Sequence, residues 1–149
     1  MKTELIELDA EVKALLLEAG LPVSDLSGKA SLSLLGARKK DGQLLGVVGI
    51  EASGTEGLLR SLAVAPTARG AGLGQHLVSE AEAWAVARGI TALYLLTTTA
   101  DEFFVRLGYK SIARDEAPTS IAVTAEFREL CPAASAFMRK VLVAKRQND

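Results

Sequence analysis

The sequence predicts a mixed α/β fold, with a central, mostly antiparallel sheet of about six to seven strands and helices on both faces. Three observations carry this expectation. Up to Val64, one helical pattern interrupts a series of strand-like runs joined by turn signals, which reads as a β-meander. A glycine-rich loop then opens the longest amphipathic pattern in the chain. After it, strand and helix patterns alternate to the end, an order that layers helices onto a sheet.

Each element has a local justification. Residues Thr3–Leu8 alternate loosely and suit a short first strand. From Asp9 the apolar positions Val12, Leu15, Leu16 and Ala19 recur at helical spacing, with Asp9 as N-cap and Gly20 as the stop. Val23–Ala30 reads as polar loop or short helix. Ser31–Arg38 and Leu44–Ala52 are strands joined through Lys39-Lys40-Asp41-Gly42, where Asp-Gly is a strong hairpin signal. A second turn at Ser53–Gly57 leads into a strand over Leu58–Val64, which Pro66 ends because proline offers no N–H to the ladder.

Behind the loop, Leu73, Leu77, Val78, Ala81, Trp84 and Ala85 share one helical face, and Arg88-Gly89 closes the helix. Thr91–Leu96 is a dense β-branched and aromatic run, hence a buried strand. Ala100–Leu107 is a short helix ended by Gly108, Tyr109–Ala113 a strand, Thr119–Leu130 a helix capped by Thr119, and Ala134–Ala144 the last strand.

Composition narrows the chemistry. The 149 residues fit one domain spanning 1–149, large enough to bury a core without staples. Apolar residues make up 49% and mean hydropathy is +0.24, which excludes bulk disorder. A formal charge of −1 removes any whole-chain attraction to nucleic acid or anionic membrane. His76 and Cys131, the single His and the single Cys, cannot supply the three or four ligands of a zinc site, so no metal is expected. One cysteine also makes no disulfide framework, so a reducing, cytoplasmic setting is the default. No apolar run approaches the ~18 residues of a membrane span, and the N-terminus lacks a signal-peptide pattern.

The informative stretch is Leu58–Gly74. A strand stops at Pro66, Arg69-Gly70-Ala71-Gly72-Leu73-Gly74 follows, and a helix starts inside that loop. Glycines allow positive φ and close approach of a ligand to backbone. The first N–H groups of a helix lack partners and carry partial positive charge. Together these form a cradle for pyrophosphate. A Walker loop would need Gly-Lys-Ser/Thr, but Gln75-His76 follows Gly74. A dinucleotide fingerprint needs different glycine spacing and a parallel unit ahead of it.

The loop resembles the Arg/Gln-x-x-Gly-x-Gly/Ala coenzyme-A loop of the GCN5-related N-acetyltransferases. Leu62-Ala63-Val64-Ala65-Pro66 looks like their fourth strand, and Phe103-Phe104-Val105-Arg106-Leu107-Gly108-Tyr109 is similar to their later Phe-Tyr-x-x-x-Gly-Phe/Tyr motif. Element order agrees over nearly the whole chain. Within the family, Leu58–Val64, Leu95–Ala100 and Glu129–Ser135 look like the acetyltransferases associated with arsenic-resistance operons.

The resemblance implies a fourth strand that carries a bulge and splits from the fifth in a V. The pantetheine arm of acetyl-CoA would pair with Leu62, Ala63 and Val64, and one of their N–H groups would bind the thioester oxygen. The pyrophosphate would lie on the backbone of Arg69, Gly70, Ala71, Gly72, Leu73, Gly74 and Gln75. Thr97 and Phe104 are further cofactor-binding candidates. Phe104 stands where many relatives place a tyrosine acid, so Thr98, within Thr97-Thr98-Thr99, is the candidate hydrogen-bonding group toward sulfur. The alternative for that triplet is a strand end of three β-branched residues. Dimers are common in that fold, which makes the final strand and the helix before it the surfaces through which a homodimer would form.

The acceptor must attack as a neutral amine. With a pKa near ~10.4, about one alkylamine in 10³ is neutral at pH 7, so a base is expected. Glu51 is the first candidate and Glu56 the second, against the plainer reading of solvated turn carboxylates. Arg60 sits mid-strand in phase with Leu58, Leu62 and Val64. It either lines the site with Ser61 and holds an anionic group of the substrate, or pairs with Glu51 or Asp101 as structure. His76 reads as a surface helix residue, Cys131 as a buried small side chain and Trp84 as core. Lys39-Lys40 and Lys140–Arg146 read as solvated.

The expected activity is therefore transfer of an acetyl group from acetyl-CoA to a small, anionic amine, such as an amino-acid-like phosphinate or an organoarsenical. A non-catalytic acyl-CoA-binding module and a protein-amine acetyltransferase are the alternatives.

Overall fold

The computed structural model describes residues 3–130 and 135–142. Seven strands run β1 (Thr3–Ile6), β2 (Leu32–Arg38), β3 (Leu44–Ser53), β4 (Glu56–Val64), β5 (Ala92–Thr97), β6 (Lys110–Ser111) and β7 (Ala136–Val141). Four helices accompany them: α1 (Ala10–Glu18), α2 (Leu73–Ala87), α3 (Asp101–Arg106) and α4 (Thr119–Ala122). The hydrogen-bonded strand order is β1-β2-β3-β4-β5-β7-β6. The pairs β1–β2, β2–β3, β5–β7 and β6–β7 are antiparallel, and β4–β5 is parallel. The mixed, mostly antiparallel sheet read from the sequence is thus observed.

The chain forms two compact units. The first comprises residues 1–51 and 59–81, the second 52–58 and 82–149. β4 and α2 each begin in one and end in the other.

In the first unit, Asp9 caps α1 by accepting from the N–H of Val12 at 2.9 Å. Val12, Leu15 and Leu16 of that helix pack with Leu34, Val47, Ala63 and Ala65. The Lys39–Gln43 hairpin closes as its Asp-Gly signal predicts, with the Lys39 N–H donating to Gln43 O and Asp41 Oδ1 accepting from the Gln43 N–H. β3 lies close to the first turns of α2. A Cβ on Gly46 would come within 2.8 Å of Leu77 Cδ1, so the approach requires glycine.

In the second unit, Leu58, Tyr94, Ile121 and Phe137 form the core, with Tyr94 and Phe137 stacked. β4 pairs with β5 over Glu56–Leu58 against Ala92–Tyr94. β4 then runs on to Val64 and β5 to Thr97, where β5 pairs with β7. The fourth and fifth strands, where the split was expected, are the parallel pair of the sheet.

Several expectations are corrected. The helix expected over Thr119–Leu130 breaks into α4 and a π-helical turn at Glu126–Leu130. The cause is Thr124, whose hydroxyl donates to Ile121 O at 2.7 Å and accepts from the Phe127 N–H, competing with the helical ladder. Pro118, not Thr119, holds the N-cap position of α4. Trp84 is half-buried, not core, with the Arg88 guanidinium 4.0 Å from its ring centroid. Cys131, read as a buried thiol, lies outside the described residues, as do Pro132, Ala133, Ala134 and the end of the basic tail.

Candidate functional site

The glycine loop lies wholly in the first unit. After β4, a 3-10 turn over Pro66–Ala68 leads to Arg69, and α2 begins at Leu73. Gly70 and Gly72 have φ of +86° and +81°, and a Cβ at either would meet nothing within 4 Å. Glycine is therefore required there by backbone conformation, in open space, and not by crowding. The His76 N–H donates to Gly72 O at 3.0 Å, so the N–H groups ahead of it project from the end of the helix. This arrangement suits an anion laid against backbone. Leu73 is buried and anchors the turn, while Gly70, Ala71, Gly72 and Gln75 are exposed. The Arg69 side chain is turned back: its Nε donates to Val64 O at 3.2 Å and its guanidinium lies 3.7 Å from Glu18. Its side chain ties loop to strand. A cavity of about 500 Å3 opens beside the loop, lined by Lys39, Leu45, Thr67, Ala71, Leu73 and His76. His76 is half-exposed and 3.9 Å from Glu80.

β4 carries one backbone irregularity. Ser61 has φ +58°, and among the described residues no other non-glycine has positive φ. Such a conformation costs about 1–2 kcal/mol at a residue with a Cβ. It also shifts the strand's phase. The simple alternation of the sequence placed Arg60 with Leu62 and Val64. Instead, Ala63 and Ala65 pack in the cluster that holds Leu26, and Arg60 reaches Asp25 beside it, while Leu62 and Val64 are only half-buried. Ser61 itself is 5% exposed, and its Oγ has no hydrogen-bond partner among the described residues. An unsatisfied buried hydroxyl costs about 1–3 kcal/mol.

Arg60 pairs with Asp25 and with Glu51, the latter one of the two acids that the structural alternative named. Its side chain is 0% exposed. It grips Asp25 in a two-pronged pair, Nη1 to Oδ2 at 2.7 Å and Nη2 to Oδ1 at 2.8 Å, and Nη1 also donates to Glu51 Oε1 at 3.0 Å. Lys29 completes the cluster, donating to Asp25 at 3.0 Å and to Glu51 Oε2 at 3.4 Å. Among the described residues two cations here meet two carboxylates, so each charge has an opposite partner. Burial pushes the Asp25 carboxyl up, but hydrogen bonds from Arg60 and Lys29, with their charges, outweigh it and hold it below the usual aspartate range. The fork expected to bind a substrate anion is thus occupied by the protein's own acids. Nothing in the sequence pattern marked Asp25, in a segment read only as polar loop.

The remaining candidates belong to the second unit. Glu56 accepts from Ser120 Oγ and from Thr55 Oγ1, both at 3.1 Å. Thr97 Oγ1 accepts from the Ala100 N–H at 3.0 Å and so shapes the turn into α3, whereas Thr98 is exposed. Phe104 is buried edge-on against Phe103 and Tyr109. Tyr109 packs in the core, as expected, and donates to Glu82 Oε2 at 2.9 Å. Burial first, then the Glu82 charge and hydrogen bond, push its phenol far above the usual range. Lys140, expected to be solvated, donates to the other oxygen of Glu82 and to Leu107 O. Among the described residues no group of three or more His, Cys, Asp or Glu could hold a metal ion, and no helix is long and apolar enough to cross a membrane.

Known proteins share this arrangement. The chain is similar over 63 residues, at 40% identity, to an uncharacterized N-acetyltransferase of Chlorobaculum tepidum. That match covers 42% of this chain and 40% of the relative, less than half the length of either. A crystal structure provisionally described as an acyl-CoA N-acyltransferase, from Klebsiella pneumoniae, superposes with a TM-score of 0.76 at 26% identity, covering 95% of this chain and 97% of that one. N-acetylglutamate synthase from Neisseria gonorrhoeae, solved with coenzyme A and N-acetyl-glutamate, shares the fold with a TM-score of 0.77 at 22% identity. It covers 97% of this chain but 36% of the synthase. Residues 7–109, well over half of the chain, match the model of the acetyltransferase (GNAT) family, and with the strand, kink, glycine loop and helix in the order that fold requires, the chain belongs to that family.

Proposed function

We propose that the protein is an N-acetyltransferase that moves an acetyl group from acetyl-CoA to the amine of a small molecule in a direct transfer. The supporting observation is the loop at Arg69–Gly74, with two positive-φ glycines opening onto free space at the start of a 15-residue helix. Its backbone N–H groups would take the pyrophosphate, and those of Leu62–Val64 the pantetheine arm and the thioester oxygen. The amine attacks the thioester carbon, an N–C bond forms, and charge gathers on oxygen. Collapse breaks the C–S bond and the electron pair leaves on sulfur. A thiolate with a conjugate acid near ~8.5 departs without a strong acid, which is consistent with phenylalanine at position 104.

Glu51 is the candidate acceptor of the amine proton, through Oε2, whose contact with Lys29 is the longest in its cluster. Glu51→Gln separates the two roles open to it. Lost kcat at unchanged melting temperature supports the base, and lost stability supports the anchor.

The likeness of Leu58–Val64 to arsenic-resistance acetyltransferases makes amino-acid-like phosphinates and organoarsenicals the first acceptors to test. With Arg60 paired, anion selectivity would have to come from other groups. We place the protein in the cytoplasm and read residues 1–149 as one catalytic domain. The test is thiol release from acetyl-CoA across a panel of small amines, beside calorimetric titration with CoA. CoA binding without turnover of any amine would refute the enzyme and leave the acyl-CoA-binding module.

A further inference from the structure

Resting on that reading, we propose that the Ser61 hydroxyl is a second donor to the thioester oxygen as it becomes an oxyanion, acting beside the backbone N–H of the following residue. Two observations on this residue and one on its neighbour point there. Ser61 holds a left-handed conformation in the middle of a strand, where glycine would relieve the strain. Its hydroxyl is buried and meets no hydrogen-bond partner among the described residues, where alanine would remove the unsatisfied group. Its neighbour Arg60 is fixed on two carboxylates, which holds the strand in this shape against the strain. Two separable costs at one position, each removable by a one-residue change, are what a site maintained for reaction chemistry looks like.

The chemistry follows from position. Covalent geometry keeps a serine Oγ within about 5 Å of the next residue's nitrogen, close enough for the hydroxyl and the Leu62 N–H to reach one acceptor. A donor that is already desolvated and unpaired gives up no hydrogen bond when the oxyanion forms. Its interaction is therefore stronger with the tetrahedral state than with the neutral thioester. The hydroxyl keeps its proton throughout. It donates a hydrogen bond to the oxygen that gains the electron pair and releases it when the C–S bond breaks.

The experiment compares wild type, Ser61→Ala and Ser61→Gly. Thiol release is followed with acetyl-CoA and whichever of glycine, L-glutamate, L-lysine, ethanolamine and an amino-acid-like phosphinate the wild type acetylates fastest. CoA affinity is measured by calorimetry and melting temperature by circular dichroism. The expected result is a fall in kcat of about 10²-fold in both variants, with CoA affinity unchanged. Melting temperature is expected to stay level or rise in Ser61→Ala and to rise in Ser61→Gly. Wild-type kcat in Ser61→Ala overturns the proposal. So does a loss of kcat that comes with lost CoA affinity or lower melting temperature in both variants, since Ser61 then only shapes the strand. If the wild type binds CoA but acetylates none of the amines, the enzyme reading fails, and the proposal falls with it.

Discussion

Removing Asp25 is the sharpest test of how β4 is held. Asp25→Ala deletes both oxygens that grip Arg60 at 2.7 and 2.8 Å. The guanidinium left behind has a side chain that is 0% exposed and retains Glu51 at 3.0 Å. Breaking a buried pair from one side costs about 3–5 kcal/mol, because the other charge stays desolvated. The surviving Glu51 contact puts this case at the lower end, about 3 kcal/mol, or about 10 °C in melting temperature for a chain of this size. Urea unfolding at neutral pH measures it. The pH dependence has a defined sign. Asp25 titrates below its ordinary 3.8 in the folded chain. Its contribution is therefore full above that value and drains away as pH falls through the lower folded value, so wild type and variant converge only in acid. In Asp25→Ala/Arg60→Met, which removes the fully buried guanidinium and leaves Glu51 with Lys29, most of the loss should be recovered. A neutral-pH loss under about 1 kcal/mol, or a double variant no better than the single, would refute the assignment of Arg60 as a charge held by these acids.

Other substitutions test other parts of the molecule. Gly72→Ala forces a side chain to φ +81° in open space, so CoA affinity by calorimetry should fall at least several-fold while melting temperature falls by only a few degrees. Gly46→Ala presses a methyl to 2.8 Å from Leu77 Cδ1, and chemical unfolding should show a loss of about 1–3 kcal/mol from overpacking. Asp9→Ala removes the cap that accepts from the Val12 N–H and should cost about 1 kcal/mol in the same assay. Tyr109 is one of two tyrosines, and its phenol is held un-ionised by burial and Glu82. Ultraviolet titration should show it ionising only with unfolding, and its contribution to stability is lost as pH rises past the ordinary tyrosine value of 10.0.

What could be read without the fold was whatever depends on near neighbours in the chain. Asp9 before Val12, Asp-Gly between two strands, and glycines at the mouth of a helix each specify backbone geometry within a few residues, and the structure has them as read. The same holds for the family, because its loop is a contiguous motif. The helix expected at Thr119–Leu130 failed within that short range, since the Thr124 hydroxyl outcompetes the ladder that the apolar pattern suggested.

The sequence by itself determined the mixed fold, the glycine loop that opens α2 and the lack of a second cysteine for a disulfide within the chain, all of which rest on local geometry or composition. Tertiary structure alone decided the partners of Arg60 and the conformation of Ser61. Alternation along β4 placed Arg60 with its apolar neighbours, but one residue at φ +58° shifts the phase, and the partner that satisfies the charge, Asp25, lies 35 residues away. No periodicity encodes a kink at a single residue, and no local spacing encodes an ion pair whose members meet only after folding.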